Sequence, residues 1–145
     1  MRGIAVNLIQ VRERIELAAL AANREPEEIQ LMAVSKLFPA SAVEEAMHAG
    51  QTCFGENYVQ EGVEKIQQLA KLRPWLEWHF IGHLQSNKAK MIAGNIDWLH
   101  TLDSVKLATR LSTSALNSSH RLNVLLQVNI ADDPDKFGLP AAALP

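Results

Sequence analysis

The chain lacks most features that would set it outside ordinary globular proteins of a reducing compartment. Its single cysteine, Cys53, excludes an intramolecular disulfide. No apolar run approaches the roughly 20 residues that span a bilayer, and the opening MRGIAVNLIQVRERIE turns polar too early for a signal peptide. Neither sign of charge dominates. Fourteen Lys and Arg against 16 Asp and Glu leave a net charge of −2, which removes the basic footprint that nucleic-acid binding requires. There is no long run of like charge, so no charged tail is expected. The histidines His48, His83, His100 and His120 are scattered, without the close His/Cys/carboxylate spacing of a zinc site. The expectation is a cytoplasmic protein with no metal, membrane or nucleic-acid partner.

What is present is the composition of one globular domain: 145 residues, 48% hydrophobic and 21% charged. Ile4, Leu8, Val11, Ile15, Ala18 and Ala22 recur at spacings of four and three, which predicts an amphipathic helix with Arg12, Glu13 and Arg14 facing largely away. After the break at Glu25-Pro26-Glu27-Glu28, residues 29–34 are short and apolar enough for a buried strand ending at Ser35-Lys36. Pro39 then suits the first turn of a helix through Val43, Ala46 and Met47 to Gly50. The alternation repeats: strands at 52–55, 78–82, 96–102 and 122–130, with helices from about 57 to 72, from 85 to 92, and after a cap at Asp103 or Ser104. The inner face of that last helix is read as Val105, Ala108, Leu111 and Ala115.

Single helices between successive strands imply parallel pairing, because a parallel neighbour needs a crossover. Two architectures satisfy this, an open doubly wound sheet and a (β/α) barrel. The open sheet would be favoured by a glycine-rich phosphate turn after the first strand. That strand ends in lysine instead, so the barrel is preferred, with about five of its strands in this chain.

In either architecture the chemistry gathers at the carboxyl ends of the strands. Lys36, Glu56-Asn57, His83, Asp103 and Asn129 fall there. Lys36 shares strand parity with Met32 and Val34, so if those fill a barrel interior its amine points inward as well. An inward lysine is costly unless paired or neutral, and the neutral amine is the form that attacks a carbonyl. The competing reading has Lys36 leaning out of the barrel mouth into water. His79 reads as a satisfied core histidine, Cys53 as a small core residue, and Trp75, Trp78 and Trp98 as packing anchors. Gly55 and Gly82 close their strands, where a missing side chain lets a ligand or backbone approach.

Three longer motifs then stand in register. Ala33-Val34-Ser35-Lys36 with Pro39, Phe54-Gly55-Glu56-Asn57-Tyr58-Val59-Gln60-Glu61, and Trp78-His79-Phe80-Ile81-Gly82-His83-Leu84-Gln85-Ser86-Asn87-Lys88 closely resemble the pyridoxal phosphate homeostasis protein family. The similarity continues through Leu125-Leu126-Gln127-Val128-Asn129-Ile130. This resemblance implies an alanine-racemase-like (β/α) barrel with an extra N-terminal helix. Residues 1–145 would form the N-terminal part of a single pyridoxal-phosphate-binding domain. It also implies that Lys36 holds pyridoxal 5′-phosphate as a Schiff base, that Asn57 and His83 lie beside the cofactor, and that no residue is catalytic. The role implied is cofactor homeostasis, with cofactor-accepting enzymes as partners.

Family members continue past the length of this chain, and their phosphate-gripping segments fall in that further part. The barrel is therefore expected to be incomplete here. The alternative function is a pyridoxal-phosphate-dependent racemase. It needs a second acid/base opposite the lysine, and the single tyrosine, Tyr58, stands beside Asn57 instead. An aldolase-like use of Lys36 is a third reading.

Overall fold

The computed structural model describes residues 3–116 and 120–144. A helix α1 (Ile4–Ala21) precedes four strand and helix repeats and a fifth strand: β1 (Ala33–Val34), α2 (Ala40–His48), β2 (Cys53–Glu56), α3 (Val59–Gln68), β3 (Glu77–Phe80), α4 (Ala89–Ala93), β4 (Trp98–Leu102), α5 (Val105–Ala115) and β5 (Asn123–Leu126). Two short strands, β6 (Val128–Asn129) and β7 (Leu139–Pro140), follow. The five main strands pair in parallel and in chain order, β1-β2-β3-β4-β5.

That order decides between the two architectures. Right-handed crossovers that always step to the next strand in one direction put every helix on the same face of the sheet. A doubly wound sheet must instead reverse direction at a switch point. The fold is an arc of a (β/α) barrel, with its helices on the convex side.

The core lies between sheet and helices. Phe54, Trp78, Phe80 and Leu99 are at most 1% exposed and project from successive strands toward the inner residues Val43, Val63, Ile66, Ile92, Leu107 and Leu111. Each such burial is worth about 1.5–3 kcal/mol. The registers Phe54↔Trp78 and Phe80↔Leu99 align these side chains on one face, and the rings of Phe54 and Trp78 lie 5.7 Å apart.

Several expectations change. Along α1 the buried residues are Leu8 and Ala19, not the stripe through Val11 and Ala18. Arg12 turns inward, where its guanidinium donates to the Ala49 carbonyl at 2.9 Å and to Gln51 Oε1 at 3.2 Å. The first strand is only two residues long, because the Leu31 carbonyl accepts from the Gln51 side chain rather than from a ladder. α3 stops at Gln68, and a 3-10 turn containing Pro74 follows. Trp75 in that turn is 62% exposed and anchors nothing. On α5 the buried residues are Leu107 and Leu111, while Val105 is exposed; Ser104 caps the helix, accepting from the Leu107 amide at 3.2 Å.

The expected strand 122–130 is divided. The β4 register shifts between Leu99 and Leu102, and the ladder to β5 ends at Leu126. Gly138 has φ +123°, and a Cβ there would lie 2.7 Å from the Asn129 amide nitrogen. Only glycine lets β7 close on β6.

Candidate functional site

Lys36, Asn57 and His83 come to one rim of the sheet. Each follows the carboxyl end of a strand, and the three strands β1, β2 and β3 are neighbours. Lys36 and Asn57 are half-buried and His83 is exposed. The Lys36 amine makes no hydrogen bond or ion pair with any described residue. Asn57 does not cap the following helix, since the residue before α3 is Tyr58 and α3 has no side-chain cap.

The Asn57 backbone is fixed by Gly82: a Cβ on Gly82 would stand 2.0 Å from the Asn57 carbonyl oxygen. The glycine thus lets two strand ends approach, as its place at the end of a strand suggested. His83 stacks on Phe137, with ring centroids 3.5 Å apart and planes within 10°. Asn129 is engaged by its own loop: its amide donates to the Asp133 carbonyl at 2.7 Å, and its Oδ1 accepts from the Asp133 amide at 3.1 Å.

Lys36 sits inside a tight turn. The Ser35 amide makes the last ladder bond of its strand, to Gly55 O at 3.0 Å, and the Phe38 amide returns to Ser35 O at 3.1 Å. Lys36 and Leu37 are the two central residues. Leu37 has φ +65°, the sign a type II turn requires at its third position and one that glycine normally supplies. The Leu37 amide donates to Glu61 Oε1 at 2.6 Å.

Beneath the turn lies an ionic cluster that the sequence reading missed. Lys65, 4% exposed, donates to Ser35 O at 2.7 Å, to Glu56 Oε1 at 2.7 Å and to Glu61 Oε1 at 3.0 Å. Ser35 Oγ also donates to Glu56 Oε1, at 2.6 Å. Glu56 is fully buried, and it fits against α3 because Gly62 has no side chain: a Cβ there would meet Glu56 Cβ at 3.2 Å. A signal was available. Glu61 and Lys65 form an i,i+4 pair, and Lys65 stands three residues after Gly62 and four before Leu69, both buried.

The opposite face carries a second polar row. His79 Nε2 donates to Glu77 Oε1 at 2.8 Å, and His79 Nδ1 meets His100 Nε2 at 2.8 Å. Gln30 adds a donor to Glu77 Oε1 at 3.3 Å. His79 also stacks on Trp98, 6.0 Å between centroids. His79 is therefore the satisfied histidine its strand position suggested. Burial, followed by the neighbouring His79, lowers the pKa of His100. Cys53 is buried beside this row, and burial followed by the Glu77 carboxylate pushes its thiol up to about 12. Cys53, Glu77 and His79 bring their ligating atoms within 4.8 Å of one another, a clustering that their separation in sequence conceals. Among the described residues, no helix is long and apolar enough to cross a membrane.

Known proteins extend this picture. Residues 6–145 match the family described as alanine racemase, N-terminal domain. The pyridoxal phosphate homeostasis protein of Escherichia coli K12 is 53% identical over 145 residues, covering 99% of this chain and 62% of that protein. The protein of the same name from Haemophilus influenzae is 50% identical over 137 residues, 94% of this chain and 58% of that one. Among solved structures, PipY of Synechococcus elongatus without PLP superposes with a TM-score of 0.76 at 45% identity, over 90% of this chain and 59% of PipY. PipY with PLP bound gives 0.69 at 43% identity, over 91% and 59%. The chain thus spans about three-fifths of the length of the relatives it matches.

Proposed function

The chain belongs to the alanine racemase N-terminal domain family, and from that premise we propose that it binds pyridoxal 5′-phosphate covalently through Lys36 and serves cofactor homeostasis in the cytoplasm. The observation that carries this reading is the half-buried Lys36 amine, unengaged by any described residue, on one strand-end rim with the unengaged Asn57. The bound PLP of PipY and the names of the curated relatives support it.

The residues present fit the aldehyde end of the cofactor. When bound, pyridoxal phosphate supplies an electrophilic carbonyl with which a neutral lysine amine condenses, releasing water. Lys36 provides that amine. Asn57 provides an amide able to donate and accept beside it, and His83 a ring at the rim. Of the two buried or half-buried lysines near this rim, Lys65 has its three donors committed to three acceptors; Lys36 has none committed.

The role proposed is holding and delivering the cofactor to enzymes that need it, without turnover. A racemase requires an acid/base on the far side of the substrate from the lysine, and Tyr58, half-exposed at the start of α3, does not stand opposite Lys36 in the sheet order. Reduction with borohydride after adding pyridoxal phosphate, followed by peptide mapping, tests the assignment. The pyridoxyl group is expected on Lys36 and is expected to disappear from Lys36→Ala. A principal adduct on any other lysine overturns the proposal, and amino-acid turnover near the ordinary enzyme range of roughly 1–1,000 per second would make the protein a catalyst.

A further inference from the structure

The turn that carries Lys36 is an uncomfortable one for its sequence. Leu37 occupies the left-handed region at φ +65°, where an L side chain crowds the following carbonyl and glycine does not. Nor is Leu37 held by packing, since it is 76% exposed. What holds it is polar: its amide rests on Glu61 Oε1 at 2.6 Å. Residue 35, on the other side of Lys36, is held through both its carbonyl and its hydroxyl. Ser35 O accepts from Lys65 Nζ at 2.7 Å, and Ser35 Oγ donates to Glu56 Oε1 at 2.6 Å.

One side chain joins the two grips. The Lys65 ammonium bonds to Ser35 O, Glu56 Oε1 and Glu61 Oε1, so it ties the residue before Lys36 to the carboxylate that holds the residue after it. Burying a charged lysine among carboxylates is a poor way to gain stability, because an apolar side chain of similar volume does as well or better. It is a good way to fix geometry, since a cation with three donors accepts only one arrangement of its partners. Local backbone strain that the surroundings over-determine is a recurrent feature of functional sites.

We propose that Lys65, through Glu56, Glu61 and Ser35, is a positioning residue for Lys36, holding the Ser35–Phe38 turn in a strained form that aims the Lys36 amine. The inference rests on Lys36 being the attachment residue. Its own content is that reactivity at Lys36 depends on a buried cation that never touches the cofactor. A purely structural Lys65 would influence folding but not the choice of lysine.

The test uses the full chain with pyridoxal phosphate as the probe, borohydride reduction, and quantitative mapping of the pyridoxyl group, alongside hydrogen exchange of the Leu37 amide. In Glu61→Ala and Lys65→Met, labelling of Lys36 relative to the exposed Lys71 and Lys106 is expected to fall about tenfold or more, near 1.4 kcal/mol of lost preference. The Leu37 amide is expected to lose protection in both. Leu37→Gly should label like the unaltered chain and should restore labelling to Glu61→Ala, because glycine adopts the turn without the carboxylate's grip. Labelling is compared only among chains that circular dichroism shows to be folded, so that a general loss of stability, which Leu37→Gly could also offset, does not enter the comparison.

Folded Glu61→Ala and Lys65→Met chains that label Lys36 normally would overturn the inference. Should Lys65→Met not fold, Glu61→Ala decides alone, since the Glu61 side chain is 28% exposed and tolerates replacement. Failure of the underlying assignment shows elsewhere: it appears as labelling away from Lys36 in the unaltered chain, which removes both proposals together.

Discussion

Under β1 and β2 the Lys65 ammonium meets Glu56 and Glu61 with almost no access to water: the side chains of Lys65 and Glu56 are 4% and 0% exposed. Across the sheet, on the concave face, Glu77, His79 and His100 form a row of hydrogen bonds whose carboxylate is 41% exposed. Alternation along β2 and β3 separates the two, since Glu56 shares a face with Phe80, and Gly55 with His79. The first cluster is ionic, closed, and tied to a strained turn; the second is partly open to solvent and includes His100, whose pKa is lowered by burial and then by His79. The comparison teaches that one sheet can brace its carboxyl-end rim with fixed charge from the helix side while leaving a polar row on the concave side open to solvent.

The largest expected effect comes from breaking the closed cluster. Lys65→Met leaves two carboxylates without their cation, one of them fully buried, and should destabilise the fold by about 3–5 kcal/mol. Removing Glu56 at the same time, as Lys65→Met with Glu56→Leu, should recover much of that loss, because the uncompensated buried charge goes with it. Glu77→Gln in the open row should cost only about 1 kcal/mol, since the group is partly solvated and its amide replacement still accepts a hydrogen bond. Urea unfolding of the four chains checks this. Equal costs for Lys65→Met and Glu77→Gln would erase the distinction between closed and open clusters.

A smaller effect separates strain from packing within the rim itself. Val34 and Leu37 are both exposed apolar residues, at 45% and 76%, yet glycine should act on them in opposite directions. In β1 it loosens a strand and is expected to cost roughly 0.5–1 kcal/mol. At Leu37 it relieves a left-handed conformation that costs an L residue about 1–2 kcal/mol, partly offset by the greater freedom of the unfolded chain. Leu37→Gly should therefore be neutral to stabilising by up to about 1 kcal/mol. Thermal melts of both variants decide it, and a clear loss of stability in Leu37→Gly would show that the turn is not strained.

How far the sequence announces this structure varies with the kind of signal. Local apolar runs closed by glycine or proline located every main strand and helix, because those signals act within a few residues. Strand parity brought Lys36 to the rim, and the spacing of motifs brought Asn57 and His83 to the neighbouring strand ends. The inward turn of Arg12 was hidden, since its partners Ala49 and Gln51 lie 37 and 39 residues away. The break after Leu126 depends on Gly138, twelve residues on, returning to lie against Asn129. Lys65 was the most concealed: a lysine on a helix is ordinarily solvated, and only the notch at Gly62 that admits Glu56 makes burial of its charge possible. The same holds for Cys53, Glu77 and His79, which parallel pairing of β2 with β3 brings together.

The smallest expected effects concern pH, through His100 and Cys53 on the concave side. The pKa of His100 is lowered in the folded chain, by burial and then by His79, so the unfolded chain binds its proton at a higher pH than the folded chain does. Below the ordinary histidine value of 6.5 the unfolded state holds more protons, and stability falls as the pH drops from there toward the lowered folded pKa. Its solvent access keeps the size modest. At the other end, the Cys53 thiol moves from 9.0 to about 12, through burial and then Glu77. Above pH 9 the unfolded chain loses a proton that the folded chain retains, so stability falls again as the pH rises toward 12.

His100→Gln should flatten the acid limb and Cys53→Ala the alkaline limb of a stability profile measured by chemical unfolding. The same raised pKa should leave Cys53 slow to alkylate at neutral pH, since the thiolate is the reactive form. Glu61→Ala, which disturbs the closed cluster, should shift the whole curve downward while preserving both of these limbs. Loss of the acid limb in Glu61→Ala but not in His100→Gln would place the responsive groups on the wrong face, and the contrast between the two clusters would fail.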